Sequence, residues 1–188
     1  MTEIADRYRV RADLFEKKVV AVQQEQWDNA SPCDEWRARD VVRHIVDMHG
    51  VLLRSADRTL SPAPSVDDDP IAAFRAARAD IEAVLDDPAV AGREFDAPHV
   101  GRTSVEMSIH QVVSADLVLH GWDLARATGQ DDTIDPGEVQ GGLESAGSMP
   151  EEVLRMPGVF GPAVPVPPDA SPQDRMLGFI GRDPNWHA

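Results

Sequence analysis

The sequence has a single cysteine, Cys33. One thiol excludes an internal disulfide and any zinc site built from several cysteines. Aromatic residues make up only 5% of the chain, so aliphatic side chains must fill most of the core. No stretch approaches the roughly 20 consecutive apolar residues of a membrane span. The first residues, MTEIADRYRVRADLFEKK, are amphipathic and charged and lack the apolar centre of a signal peptide. The expectation is a cytoplasmic protein with no membrane partner. Positive charge is also short: 18 Lys and Arg stand against 33 Asp and Glu, a formal net charge of −15. Such a surface repels phosphates, which argues against nucleic-acid binding. A Ser-His-Asp arrangement, a Gly-rich phosphate loop and a dinucleotide fingerprint are all missing.

What is present reads as a globular all-α chain. Hydrophobic residues make up 42% and charged residues 27% of 188 positions, enough for one domain with a real core. Ile4, Tyr8, Phe15, Val19 and Val22 recur at helical spacing and predict a helix over 3–26. A second helix is predicted over 38–58, with Val41, His44, Ile45, Met48, Val51 and Leu52 on its apolar face. Asp69 and Pro70 are an N-cap and first helical residue for a third helix over 70–87. Residues 89–103 read as an irregular connection. A fourth helix is predicted over 105–128, with Gly129 as its stop. Short helices are expected over 137–148 and 150–156. Four prolines keep 160–168 extended, and Ser171-Pro172 starts a last helix over 172–180. The expected architecture is an up-down four-helix bundle over about 1–130 with a short C-terminal extension and helix over 131–188, all one domain.

Two anomalies interrupt the apolar stripes. Asp116 and His120 are four residues apart, on one face with Ile109, Val112 and Val113. His44 does the same on the second helix. A buried carboxylate needs a partner or a metal. His44, Asp116 and His120 can satisfy one another around one divalent cation, with water as a fourth ligand in the open pattern of catalytic sites. Zinc suits two imidazoles and a carboxylate, as do nickel, iron and manganese. The same spacing also serves a surface ion pair, and a lone buried histidine is often only hydrogen-bonded. Periodicity alone does not choose among these.

Two motifs extend the reading. Trp36-Arg37-Ala38-Arg39-Asp40-Val41-Val42-Arg43-His44-Ile45 resembles the W-x-x-x-D-L/V-x-x-H-V/I signature of the DinB-like, mycothiol-dependent maleylpyruvate isomerase superfamily. Asp116-Leu117-Val118-Leu119-His120-Gly121-Trp122-Asp123-Leu124-Ala125 resembles its D/E-x-x-x-H-x-W-D-L-A helix. The tail, with Phe160 to Pro167 and Gly181-Arg182-Asp183-Pro184, looks like that of short actinobacterial members. A basic complement almost wholly of arginine, with Lys17 and Lys18 the only lysines, fits the same GC-rich source. The resemblance implies a DinB-like bundle with a metal on His44, Asp116 and His120. It further implies a thiol cofactor such as mycothiol, activated for isomerisation or S-transfer to a small electrophile. A non-catalytic metal-binding or interaction protein is the alternative. Homodimers through helix faces are an expectation of the fold. The isomerase carries Glu where Asp116 stands.

The remaining candidates have simpler readings. His49 lies about 140° around from His44 and is expected at the surface. His110 faces away from Asp116, His99 lies in the 89–103 connection, and His187 is terminal. Trp36 should pack the start of the second helix and Trp122 a neighbouring helix interface. Asp123 is either an acceptor for an imidazole N–H behind the site or a partner of Arg126. Cys33 reads as a packed structural thiol.

Overall fold

The computed structural model describes residues 2–97, 101–156 and 159–188. Helix α1 (Glu3–Ala21) is capped by the Thr2 hydroxyl, which accepts from the Ala5 N–H. The chain turns out of helix at Val22 and makes one 3-10 turn, Gln24–Gln26, where a longer helix was expected. Helix α2 (Ala38–Ser55) follows a tight loop, and α3 (Pro70–Leu85) opens on the predicted Asp69 cap, whose carboxylate accepts from Ala72 at 2.9 Å. A short α4 (Pro88–Ala91) leads into strands β1 (Glu94–Ala97) and β2 (Gly101–Ser104). These pair antiparallel, Glu94 opposite Ser104 and Ala97 opposite Gly101. The segment read as irregular is therefore a hairpin. Its strands are four residues each, too short to show an alternating pattern. Pro98, His99 and Val100 lie outside the described residues, and so does the expectation for His99.

The predicted fourth helix is two, α5 (Val105–Gln111) and α6 (Val113–Thr128), broken at Val112 with φ −106° and ψ −82°. The break falls at two successive β-branched residues, whose stiff side chains crowd a helix. Helix α6 ends at Gly129, left-handed at φ +66°, as expected. α1 packs on α6, α6 on α2, α2 on α3 and α3 on α1. The four close a bundle around Tyr8, Phe15, Ile45, Phe74, Ile81, Ile109 and Leu117.

Beyond the bundle lie α7 (Pro136–Ser148), α8 (Glu151–Leu154) and α9 (Pro172–Phe179). Trp122, on the outer side of α6, anchors a second apolar cluster with Ile134, Val139, Leu154, Met176 and Ile180. Residues 160–166 run without helix, and Val164 donates to the carbonyl of Gly178 at 2.8 Å. That close approach needs glycine: a Cβ on Gly178 would stand 2.7 Å from the Val164 oxygen. No described helix is long and apolar enough to cross a membrane.

The buried face of α2 departs from the predicted stripe. Val51 is exposed, and His49 is fully buried. α2 packs α3 on one flank and α6 on the other, so its buried arc is wider than one stripe and reaches His49. There the ring bridges two groups. Nδ1 meets the Ile45 carbonyl at 2.7 Å and must donate, so the Tyr8 hydroxyl donates to Nε2 at 2.8 Å. Burial lowers the His49 pKa to about 4, against smaller opposing effects of the Ile45 carbonyl and of Asp116 and Asp80. The unfolded chain therefore binds a proton at His49 from pH 6.5 downward that the native chain refuses until about pH 4. The contribution is complete above pH 6.5 and is lost as pH falls through this window. The expected loss is roughly 3 kcal/mol. Urea titrations between pH 7 and 4 should show it, and His49→Gln should flatten that part of the curve.

Candidate metal centre

The loop before α2 sets the mouth of the site. Asn29 Nδ2 donates to the Ala127 carbonyl and Gln26 Nε2 to that of Thr128, both at 2.9 Å, using carbonyls that the end of α6 leaves free. Ser31 donates its N–H to the Trp36 carbonyl and Trp36 donates to that of Cys33, closing a small turn. The loop is thereby pinned to α6, with Trp36 and Cys33 beside that helix.

Packing of α2 on α6 brings His44, Asp116 and His120 together, with ligand atoms all within 4.8 Å of one another. His44 Nε2 stands 3.5 Å from Asp116 Oδ2. That is too long for a good hydrogen bond. Two ligands each about 2.1 Å from one tetrahedral ion would stand about 3.4 Å apart. The spacing therefore fits a shared cation better than a direct pair. The His44 and Asp116 side chains keep 28% and 23% of their exposure, against 9% for His120. The cluster is open on one side and closed behind His120.

Trp36 forms one wall. Its ring lies 5.0 Å from His44 and stacks on His120 at 5.7 Å. The sequence placed Trp36 at the start of α2 and not over the site. The signal missed was the loop's attachment to α6, which no local pattern carries.

Behind the site, His120 Nδ1 meets Asp123 Oδ2 at 2.8 Å. An ionised carboxylate only accepts, so Nδ1 donates, and in the neutral ring Nε2 is the nitrogen with the free lone pair. Asp123 is fully buried. Burial would push its pKa up, but the Arg182 guanidinium and the His120 hydrogen bond outweigh it and hold the carboxyl well below the usual range. Of the two readings for Asp123, the contact with His120 is the one found. Arg126 instead pairs with Asp132 and the Pro184 carbonyl and covers the Trp122 ring.

Cys33 Sγ donates to Asp123 Oδ2 at 3.3 Å. Burial and then the negative Asp123 push its thiol pKa up, so it stays protonated. Cys33, His120 and Asp123 are a second set of metal-ligand types within 4.8 Å. Arg182 already serves as the cation there, with Nη2 at 2.9 Å from Asp123 Oδ2 and 3.6 Å from Sγ. His110 lies apart, lining a groove of about 210 Å³ with Arg11 and Glu138 between α1, α5 and α7. His187 is exposed near the end of the chain.

Removing one partner of a buried ion pair strands the other charge. Asp123→Ala should lower stability by about 3–5 kcal/mol in urea unfolding, and Asp123→Asn by less.

A family model described as the mycothiol maleylpyruvate isomerase N-terminal domain matches residues 9–125. The chain is 30% identical over 171 residues to the uncharacterized proteins MT0763 and Rv0738 of Mycobacterium tuberculosis, strains CDC 1551 / Oshkosh and ATCC 25618 / H37Rv. Each match covers 90% of this chain and 92% of the relative. No solved structure matches.

Proposed function

The chain belongs to the mycothiol maleylpyruvate isomerase N-terminal domain family, and on that premise we propose that it is a metal- and thiol-dependent S-transferase or isomerase-like enzyme. His44, Asp116 and His120 hold one divalent ion, with zinc the best match to two imidazoles and a carboxylate and nickel or iron as substitutes. The observation that carries this reading is the convergence of these three donors at one open edge of the α2–α6 interface. Bound there, the ion favours thiolate over thiol at neutral pH.

The chain's own residues supply the rest. Asp123 fixes the His120 ring so that Nε2 faces the cluster. The partial exposure of His44 and Asp116 leaves room for a small-molecule thiol, of which mycothiol is the family's own, and for an electrophile. Trp36 gives the substrates an apolar wall. An ion serving only to staple α2 to α6 would be better enclosed by a fourth protein donor. Cys33 and Asp123, the other ligand-type side chains clustered with His120 among the described residues, are engaged by Arg182 behind it.

Purified protein should carry about one divalent ion per chain by elemental analysis, and His44→Ala and Asp116→Ala should lose it. Unchanged metal content in both variants would remove the site. With zinc restored, the wild type should consume mycothiol in the presence of a panel of small electrophiles, and chelation should stop it. Metal binding without thiol consumption would favour the stapling role.

A further inference from the structure

We propose that Arg182, carried by the C-terminal extension, is the positioning residue for His120, acting through Asp123. This rests on the metal-site reading above. Asp123 lies within the 9–125 family match and Arg182 lies beyond it, 59 residues along the chain. Arg182 grips both carboxylate oxygens, Nη2 on Oδ2 at 2.9 Å and Nε on Oδ1 at 3.3 Å. The Asp123 side chain has no exposure and that of Arg182 only 13%. Water cannot balance the carboxylate; Cys33 and His120 each donate one hydrogen bond to it, and Arg182 supplies the two-point grip and the permanent positive charge. The same Oδ2 accepts from His120 Nδ1. An acceptor held this way fixes the ring and strengthens the other nitrogen as a ligand.

The tail is built to deliver the guanidinium. Arg182 donates its N–H to the Leu177 carbonyl at 2.9 Å, turning the chain back after α9. Gly181 makes that turn at φ +86°, and a Cβ there would lie 2.9 Å from the backbone of Gly161. Arg155 ties the same strap by donating to the carbonyls of Gly161 and Phe179. It has no hydrogen bond or ion pair to Asp123 among the described contacts.

The test uses the full-length chain and zinc alone, titrated against a competing chelator, with Arg182→Met, Arg182→Lys and Arg155→Met. Affinity should fall about 10- to 100-fold in Arg182→Met. Arg182→Lys should fall less, because lysine keeps the charge and loses the two-point grip. Arg155→Met, which loosens the strap but keeps the guanidinium on Asp123, should lose less than Arg182→Met does. Nitrogen NMR of the metal-free protein supplies a second readout. The His120 ring should be protonated at Nδ1 in the wild type and shift towards a tautomer mixture in Arg182→Met. Wild-type affinity in Arg182→Met, or an equal loss in Arg155→Met, would overturn the proposal. If Arg182→Met does not fold, wild-type affinity in Arg182→Lys overturns it. A wild type that binds no zinc would sink the metal reading alone. The His120 spectrum would still decide this inference, a changed ring sustaining it and an unchanged one overturning it.

Discussion

One buried negative charge organises this molecule. The Asp123 carboxylate is shut away from solvent, and removing an ion from water costs several kcal/mol unless other groups replace the lost hydration. Three groups do so here: Cys33 from the loop before α2, His120 from its own helix, and Arg182 from the tail. Each must be held in place. The loop is therefore pinned to the end of α6, and the tail is clamped by close glycine contacts. The charge also lies where the bundle core and the Trp122 cluster meet, because Asp123 follows Trp122 directly in α6.

The two adjacent groups of ligand-type side chains share His120 and differ in what fills them. Behind the ring, a guanidinium supplies the positive charge, and Cys33, His120 and Arg182 all donate to Asp123. In front of it, His44 and Asp116 stand 3.5 Å apart, too long for a good hydrogen bond, and both remain partly open to solvent beside the buried His120. The front group fits a shared cation in an open setting, and the back group keeps its shared imidazole in one orientation.

Much of this was legible in the sequence. The long helices followed from apolar spacing. Asp69-Pro70, Ser171-Pro172 and Gly129 marked real ends, because capping is local chemistry. His44, Asp116 and His120 stood out as polar residues on apolar stripes, and the structure brings them together. What escaped notice depends on contacts between distant segments. His49 was assigned to the surface because one stripe was assumed for a helix that packs on two sides. Val51 went the other way, because the buried arc is centred nearer Val42, Ile45 and His49 and leaves it outside. The hairpin was too short to show its period, and the break at Val112 interrupts a run that is otherwise helical in pattern. Arg182 had no local signal, since its meaning lies in a carboxylate 59 residues away.

The span of that contact has a consequence in time. A chain leaves the ribosome from its N-terminus, so α1 to α6 can collapse while the tail is still being made. Until residue 182 emerges, Asp123 has only His120 and Cys33 for company in an apolar setting. The early bundle therefore contains a carboxylate it cannot comfortably bury, which favours keeping that end of α6 loose and hydrated. Arrival of Arg182 supplies the missing positive charge. The contact between Asp123 and Arg182 can therefore form only after all the bundle helices have been made.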